Sequence, residues 1–487
     1  MIRSPFWLAF GLTLAAADLS RAQEQGRPVI NSDSVDCGSG EPEKMLPACT
    51  RIIRNKGRTP IERAIALRNR GFVHQQRGEW DQAIADYDAA LDLGPAAAQT
   101  DGVVARTYVN RGITHMAHGD DKRAVADFGA AIATDPTLVS AYLNRAALAL
   151  RRGDNANALA DLDVAARLAP DDPAVFRSRG ALRSNAGDLE TAIADFSAAI
   201  ALDPTDAAAW RHRGLTYQKL GDAARAEADA AEALRLDPNV AGGHKARGLA
   251  LQALGRGDQA ITEFGRAIDL NPTDAELMKV RGDAHLANGA RHEAIADFSR
   301  AIALDPGFRD AYNNRAAAYM QQVDWDRAID DLEQAVAIDP RFVAALLNRA
   351  QAWKMKGESA SALADYDRVI ALDPTLAIAF RHRAALHQAR GDHAAAIADY
   401  SRALDLDPED EGAWRGRGIA QLKLGRMNAA IADLTRAITL DPNDALAFHH
   451  RSRAHASVRD MKRANADDAI AVRLDPRLAK SRAAYEP

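Results

Sequence analysis

Prolines recur with a constant period of thirty-four along most of this 487-residue chain. A fixed period of that size indicates a solenoid, in which each unit contacts only its neighbours, rather than a few independent domains. The first interval of this series, between the prolines at positions 95 and 136, is longer by seven residues, which places an insertion near residues 98–104. Twelve units then occupy residues 64–478. Their prolines stand at positions 95, 136, 170, 204, 238, 272, 306, 340, 374, 408, 442 and 476.

Each unit has the pattern of two helices joined by a tight turn. In one unit, residues 207–220 are rich in alanine and other helix formers. Gly221 suits a left-handed C-terminal cap, and Asp222 suits the N-cap of a second helix that ends before Asp237-Pro238. The sequence therefore predicts an all-α chain of helix pairs that stack to bury their apolar faces. The same turn recurs at Gly78-Glu79, Gly119-Asp120, Gly153-Asp154, Gly187-Asp188, Gly357-Glu358 and Gly391-Asp392.

Small residues occupy fixed places in every unit. We number these places backward from the proline, so that position −1 directly precedes it. Alanine stands at position −12 of all twelve units, and Gly or Ala stands at −24 of all but one, where Ser452 replaces it. Large residues such as Trp210 and Phe196 fill the places beside them. This pattern resembles the tetratricopeptide repeat over about 85% of the chain. The resemblance implies a right-handed superhelical solenoid of twelve helix-turn-helix repeats that binds other proteins.

Two charged residues depart from the pattern of that family in every repeat. Arginine stands at position −25, where leucine is usual, and Asp or Glu stands at −9. Pairs such as Arg213 and Asp229 would lie on the first and second helix of one repeat. We therefore expect a ladder of charge-assisted hydrogen bonds between the two helices. A row of arginines that binds a ligand is the alternative interpretation.

The N-terminus has the pattern of a secretory signal peptide over residues 1–22. Arg3 precedes an apolar run over residues 6–17, and Ser20 and Ala22 suit a cleavage site. The run is too short to span a hydrocarbon core of about 30 Å, and a retained N-terminal anchor is the alternative. Loss of two arginines and one aspartate with this segment would change the net charge from −5 to −6.

Cys37 and Cys49 are the only cysteines of the chain. In an oxidising compartment we expect them to form a disulfide, and two reduced, unrelated thiols are the alternative. A metal site is not expected, since only two soft ligands are present and no histidine lies nearby in the sequence. Residues 23–63, which contain both cysteines, form the predicted N-terminal cap of the stack.

Two other stretches differ from the rest of the stack. Asn465 and Asp468 make the last second helix polar, as suits a terminal repeat that faces water, and residues 479–487 follow as a tail. In the middle, Glu227 stands at an apolar place and the next first helix opens with two glycines at 242–243. We expect this junction to be the softest part of the stack.

No motif for catalysis or for a cofactor is present. The chain lacks a phosphate-cradling glycine loop, a nucleophile elbow, a paired CxxC and an HExxH. The best metal candidate combines His449, His450 and His455, but adjacent residues point to different helix faces. We predict no catalytic residue, no cofactor and no metal. The histidines at position −21 are interpreted as packed substitutes for an aromatic residue: His74, His115, His285, His387 and His455.

By resemblance, the concave groove is lined by the first-helix residues at positions −30, −27, −23, −20 and −19; we call these positions the groove face. They hold three acidic residues, Glu276, Asp283 and Asp310. They also hold thirteen Lys or Arg: Arg68, Arg106, Arg151, Arg177, Arg211, Lys219, Lys245, Lys279, Lys354, Arg381, Arg415, Lys423 and Arg453. Such an excess on an acidic chain favours an acidic ligand, although a solvated charged surface is the plainer alternative.

The candidate ligand contacts combine these cations with glutamines that could bond a peptide backbone. They are Arg68, Arg177, Arg211, Gln218, Lys219, Lys245, Gln252, Lys279, Arg381, Arg415 and Lys423. Asparagine never stands at position −23, so the clamp by which some members of the family hold a C-terminal carboxylate is not reproduced.

The sequence thus predicts a secreted, periplasmic scaffold that binds an acidic protein segment. Binding of an anionic envelope polymer, as in outer-membrane or exopolysaccharide assembly, is the alternative. An enzyme would need a catalytic domain, and only nine residues follow the repeats. Export and the scarcity of aromatic residues on the groove face argue against nucleic acid.

Overall fold

The computed structural model describes residues 32–93 and 101–479, and these divide after Ala250 into two compact units. Every regular element in these ranges is helical, so the all-α fold of helix-turn-helix repeats is confirmed. Four predicted features lie wholly or partly outside the described residues: the signal peptide at 1–22, the start of the cap at 23–31, the insertion at 98–100 and the tail at 480–487.

The helices of the first unit begin with the cap and continue through five complete repeats. They are α1 (Ser32–Cys37), α2 (Pro42–Arg54), α3 (Pro60–Gln76), α4 (Trp80–Leu93), α5 (Asp101–His118), α6 (Asp121–Thr134), α7 (Val139–Arg151), α8 (Asn155–Leu168), α9 (Pro173–Ala186), α10 (Leu189–Leu202), α11 (Ala207–Leu220) and α12 (Ala223–Leu236). Helix α13 (Ala241–Ala253) is the first helix of repeat 6.

The second unit continues the same alternation of first and second helices. Its helices are α14 (Gly257–Leu270), α15 (Ala275–Ala287), α16 (Arg291–Leu304), α17 (Arg309–Gln321), α18 (Trp325–Ile338), α19 (Val343–Lys356), α20 (Ser359–Leu372), α21 (Ala377–Ala389), α22 (His393–Leu406), α23 (Glu411–Lys423), α24 (Met427–Leu440), α25 (Ala445–Ser457) and α26 (Met461–Leu474). From α3 to α26 the helices alternate along the chain as the first and second helices of twelve repeats, and within each unit the two helices of a repeat pack against each other.

The turns follow the predicted chemistry. Gly221 ends α11 with a φ of 89°, a left-handed conformation that glycine adopts without steric cost. The side chain of Asp222 then accepts a hydrogen bond from the backbone N–H of Arg225 and caps α12. Inside the pairs, the signature alanines such as Ala226 and Ala294 are buried, and they let the two helices approach closely.

The predicted ladder of arginine and aspartate is present in both units. Arg213 donates from Nε and Nη2 to the two oxygens of Asp229, at 2.7 and 2.9 Å. Equivalent two-bond pairs occur in eleven repeats, from Arg70–Asp86 to Arg451–Asp467. The bonds to Asp229 raise the pKa of the Arg213 guanidinium despite its partial burial.

The ladder also joins successive repeats. Nη1 of Arg213 donates to Ser197 of the preceding second helix at 3.0 Å, and seven other ladder arginines make the same bond to the residue in this place. One of them, Arg70, bonds to Thr50 of the cap, which therefore imitates the second helix of a preceding repeat. The twelfth pair, Arg247 and Glu263, falls on either side of the unit boundary.

The cap has the predicted disulfide and a buried core. Cys37 and Cys49 are bonded, with their Cα atoms 4.9 Å apart. Met45 and Ile52 of α2 are buried with both cysteines against α3. The side-chain N–H of Asn69 on α3 donates to the Cys37 carbonyl at 3.1 Å, which fixes the cap to the first repeat.

The stretches that depart from the regular repeat in sequence are helical where the structure describes them. Residues 101–104 of the predicted insertion form an added first turn of α5. The predicted polar terminal helix is present, with Asn465 exposed.

At the predicted soft junction, Glu227 accepts a hydrogen bond from Arg247 at 2.9 Å. A Cβ at Gly243 would lie 2.8 Å from Leu234, so that glycine permits close packing of α13 on α12. The softness of the junction stays a prediction.

Candidate ligand-binding groove

Most successive first helices within each unit touch one another, which brings their groove-face positions together. Helix α5 contacts α7 in the first unit, and α23 contacts α25 in the second. Among the described residues, successive second helices contact each other less. A stack curves toward the side on which neighbouring helices are closest, so the first helices lie on the inner side of each unit.

Aspartates just before the first helices neutralise part of the groove face. Asp444 caps α25 by accepting from the backbone N–H of Ala447, and its other oxygen accepts from Arg415 at 2.6 Å. Such acids stand at position −32 of their repeat, outside the groove face. Three groove-face arginines bond to such an aspartate in the described structure: Arg177 to Asp206, Arg381 to Asp410, and Arg415 to Asp444. Arg151 bonds instead to Asp121 at the start of α6. The groove is therefore less basic than the sequence count suggests.

Arg211 is an exception to this pattern. The residue that should supply its aspartate is Val240, whose carbonyl accepts the first helical hydrogen bonds of α13. Among the described residues, the Arg211 guanidinium has no carboxylate in hydrogen-bonding contact and donates only to Nε2 of His212, at 3.3 Å.

The surroundings of Arg211 disfavour its charge. Burial lowers the pKa of the guanidinium, and the positive charge of nearby Arg177 lowers it further. The negative charge of Asp206 raises the pKa, but by less than burial lowers it. Asp206 itself is bonded to Arg177. The Arg211 guanidinium is thus held in a low-dielectric place without a bonded counter-charge.

The other predicted contacts differ in their surroundings. Lys219 donates to the Ser184 carbonyl at 3.0 Å, and Arg68 donates to Asn69 at 3.1 Å. Lys279 pairs with Asp283 at 3.2 Å. Lys423 is exposed, and the remaining three are half-buried: Gln218, Lys245 and Gln252.

Repeats 7–9 carry a hydrogen-bonded amide chain on the same side of their first helices. Asn348 donates to Asn313 at 2.9 Å, Asn313 to Asn314 at 3.1 Å, and Asn314 to Asp283 at 2.7 Å. Burial opposes the charge of Lys279, but Asp283 and the neighbouring acids raise its pKa. These three amides and Asp283 therefore satisfy part of one another's hydrogen-bonding capacity inside the fold.

Three half-buried histidines stand at position −26, directly after a groove-face position. Burial lowers the pKa of His212, His382 and His450 to about 4, and neighbouring positive charges lower it further. All three are therefore neutral at neutral pH. His212 consequently accepts the Arg211 hydrogen bond without adding a charge.

The histidines at position −21 have a more specific environment than a packed aromatic substitute. Nε2 of His115 lies 3.9 Å from an oxygen of Asp127, the acid of its ladder pair. His74, His285 and His387 have the same relation to their own ladder acids, at 3.8 to 3.9 Å. Within the described part of the chain no three metal-ligating side chains converge, and this includes His449 and His450.

Sequence reasoning missed two tyrosines that pack beside the groove face. Tyr366 is fully buried, and its hydroxyl has no hydrogen-bond partner among the described residues. Tyr400 is buried as well, and its hydroxyl occupies the space that a side chain at Gly416 would fill. Tyrosine at position −8 occurs only in repeats 1, 9 and 10, which is the signal the sequence offered.

No helix in residues 32–93 or 101–479 combines the length and the apolar character that crossing a bilayer requires.

A comparison with curated proteins finds no match. Family models described as tetratricopeptide repeat match residues 62–136, 109–173, 145–209, 207–240, 245–307, 310–342 and 384–483.

Several solved structures are similar to this chain. YrrB, described as a TPR protein with an unusual peptide-binding site, is 26% identical over 38% of this chain and 95% of its own, with a TM-score of 0.32. The APC/C hetero-tetramer Cut9-Hcn1 is 15% identical over 85% and 94%, with a TM-score of 0.41. Yeast Tom70 is 18% identical over 86% and 98%, with a TM-score of 0.40. Members of the matched family act in general as scaffolds for protein interactions, and this chain belongs to the tetratricopeptide repeat family.

Proposed function

We propose that this chain is a non-enzymatic scaffold that binds an acidic segment of a partner protein on its groove face, with Arg211 as the anchor. The observation that carries the proposal is the half-buried Arg211 guanidinium, which lacks the bonded carboxylate that Arg177, Arg381 and Arg415 each have. A ligand carboxylate would take the place of the missing aspartate.

A desolvated guanidinium without a counter-charge is costly, and a carboxylate matches its planar fork of N–H donors. An external carboxylate would therefore gain more at Arg211 than at an arginine that an aspartate already occupies. Gly242 of α13 lies beside this guanidinium, where a Cβ would be 3.6 Å from Nη1 of Arg211. Because glycine has no side chain to cover Arg211, access from the groove is less restricted.

The spacing of the cations supports an extended ligand. Arg177, Arg211 and Lys245 stand at position −27 of three successive repeats. Neighbouring packed helices lie about 8–10 Å apart, and an extended peptide in the polyproline II conformation advances roughly 3.1 Å per residue with three residues per turn. Acidic side chains at every third position of such a peptide would therefore point to the same side and meet successive first helices.

Val240→Asp is the sharpest test, because it supplies the missing aspartate from inside the chain. The new carboxylate would pair with Arg211 as Asp206 does with Arg177, and it would also cap α13. The probe is an acetylated, amidated peptide that has glutamate at every third position. Titration calorimetry should show that its affinity for the Arg211 site falls by about 10- to 100-fold. A glutamine version of the peptide should not bind there.

The matched control is Val240→Asn, which caps a helix as well as aspartate does but carries no charge. It should keep the affinity of the unmodified chain for the glutamate peptide. If the aspartate and asparagine variants bind equally well, Arg211 is not the anchor. Equal binding of the glutamate and glutamine peptides would contradict the preference for an acidic segment.

An anionic envelope polymer is the alternative ligand of the same surface, since uronate carboxylates could also pair with Arg211. A competition experiment, in which each polymer displaces the bound glutamate peptide, distinguishes the two ligands. Alginate that displaces the peptide at much lower carboxylate concentration than polyglutamate would favour the polymer over a protein segment.

We also propose that the protein is exported and works in the periplasm. The signal-peptide pattern of residues 1–22 supports this, and so does the disulfide between Cys37 and Cys49. Cell fractionation with N-terminal sequencing should find a processed chain that begins at Gln23 in the periplasmic fraction. An unprocessed chain in the cytoplasm would contradict the proposal.

A further inference from the structure

Repeat 9 contains a tyrosine and a lysine that both lack an internal hydrogen-bond acceptor. The Tyr366 hydroxyl has no partner among the described residues although the side chain is fully buried. Lys354 stands on the first helix of the same repeat, and its ammonium makes no hydrogen bond or ion pair in the described part of the chain. Lys354 is half-buried, but the Tyr366 hydroxyl is a buried donor without an acceptor, which costs free energy, so it calls for an acceptor that the fold does not supply.

Repeat 1 shows what normally satisfies a tyrosine in this place. Tyr87 stands at position −8, as Tyr366 does, and its hydroxyl donates to Oε1 of Gln75 at 2.9 Å. Gln75 and Lys354 both stand at position −20, so they correspond to each other. The exchange of glutamine for lysine replaces the acceptor of repeat 1 with a second donor. Repeat 9 therefore presents two donors and a positive charge where repeat 1 closes its own hydrogen bond.

The surroundings extend this unsatisfied region into repeat 10. The ring of His382 stacks on Tyr366 with centroids 5.9 Å apart, and Lys354 lies near enough to help lower its pKa. Oε1 of Gln388 is buried without a partner among the described residues. The Tyr400 hydroxyl, which also lacks a hydrogen bond in the described structure, lies near Arg381, whose charge acts on it.

We propose that Lys354 and Tyr366 form a second binding site of the groove face, which takes a carboxylate of an extended acidic peptide. This inference rests on the proposed function and assigns a separate site in the second unit. A carboxylate accepts from both donors and neutralises the ammonium. The Gln388 carbonyl then accepts a backbone N–H of the same peptide. A neutral ligand would leave the lysine charge uncompensated.

The test is carried out in the full-length Val240→Asp chain, in which the Arg211 site is already occupied from inside. Titration calorimetry with the glutamate peptide should show one remaining site. Lys354→Gln should give Tyr366 the acceptor that Tyr87 has, and should abolish this remaining binding while leaving the melting temperature unchanged or higher. Tyr366→Phe, which removes a hydroxyl without an internal bond, should weaken it by about tenfold.

Lys462→Gln is the control, because it removes the same charge from an exposed lysine of α26, outside the groove face. It should leave the remaining site intact. If Tyr366→Phe binds the peptide as tightly as its parent, the hydroxyl holds an ordered water only and the inference is wrong. If Val240→Asp alone abolishes all binding, the second site does not exist while the proposed function stands. If Val240→Asp binds with the full stoichiometry of the unmodified chain, the Arg211 proposal fails instead.

Discussion

The ladder and the groove face use arginines only two residues apart on the same helix, yet the two sets behave differently. Arg213 belongs to the ladder and bonds to Asp229 of its own repeat. Arg211 belongs to the groove face and bonds to no carboxylate among the described residues. The equivalent arginine of repeat 4, Arg177, has one because Asp206 of the next repeat provides it.

The difference lies in where the partner comes from. A ladder acid stands on the second helix of its own repeat, so arginine and acid recur together in all twelve repeats. Arg177, Arg211, Arg381 and Arg415, all at position −27, depend on the residue that precedes the next first helix, which is aspartate before α11, α23 and α25 but Val240 before α13. Charges that serve the stack are therefore matched within the repeat, and a charge at position −27 is left for a ligand where the next repeat lacks that aspartate.

Breaking the ladder should have the largest effect on stability. Arg213→Met leaves Asp229, which is only 5% exposed, as a buried charge without its partner. We expect the free energy of unfolding to fall by about 3–5 kcal/mol, as measured by urea denaturation. The double variant Arg213→Met/Asp229→Leu removes both charges and should lose less than the single variant. A double variant that is equally or more unstable would contradict the pairing.

Much of the fold follows from the sequence because each repeat closes its own helix pair. The period, the turn at Gly221-Asp222 and the pair Arg213–Asp229 lie within one repeat, where spacing alone fixes which residues meet. The charge of the groove was overestimated because Asp206 belongs to the loop between repeats. The unpaired hydroxyl of Tyr366 could not be foreseen either, since it becomes visible only when every possible partner has a position.

Acidification should lower the stability of the fold through the three histidines at position −26, and each histidine should contribute less than the loss of one ladder partner. His212, His382 and His450 have a pKa of about 4 in the fold against 6.5 for the unperturbed side chain. Between these values the unfolded chain binds protons that the folded chain does not. Stability is therefore complete above about pH 6.5 and falls as the pH drops toward 4, by about 1–2 kcal/mol per histidine at pH 5.

Thermal unfolding between pH 7 and pH 5 checks this expectation. The control is the triple variant His212→Gln/His382→Gln/His450→Gln, which should lose less stability than the unmodified chain over the same range. An identical pH dependence of the two proteins would show that these histidines already bind protons in the fold.

Val240→Asp should have the smallest effect on stability and test the comparison most directly, because it gives Arg211 the partner that Arg177 has. The helix cap and the ion pair together should raise the free energy of unfolding by about 1 kcal/mol. Val240→Asn should provide the cap without the pair, so the two variants should differ by a few tenths of a kcal/mol. At about 1 M salt this difference should shrink without disappearing, because screening acts less on a partly buried pair. Equal stability of the two variants at low salt would mean that the aspartate acts through the helix start alone, and that Arg211 stays unpaired even when a carboxylate is supplied.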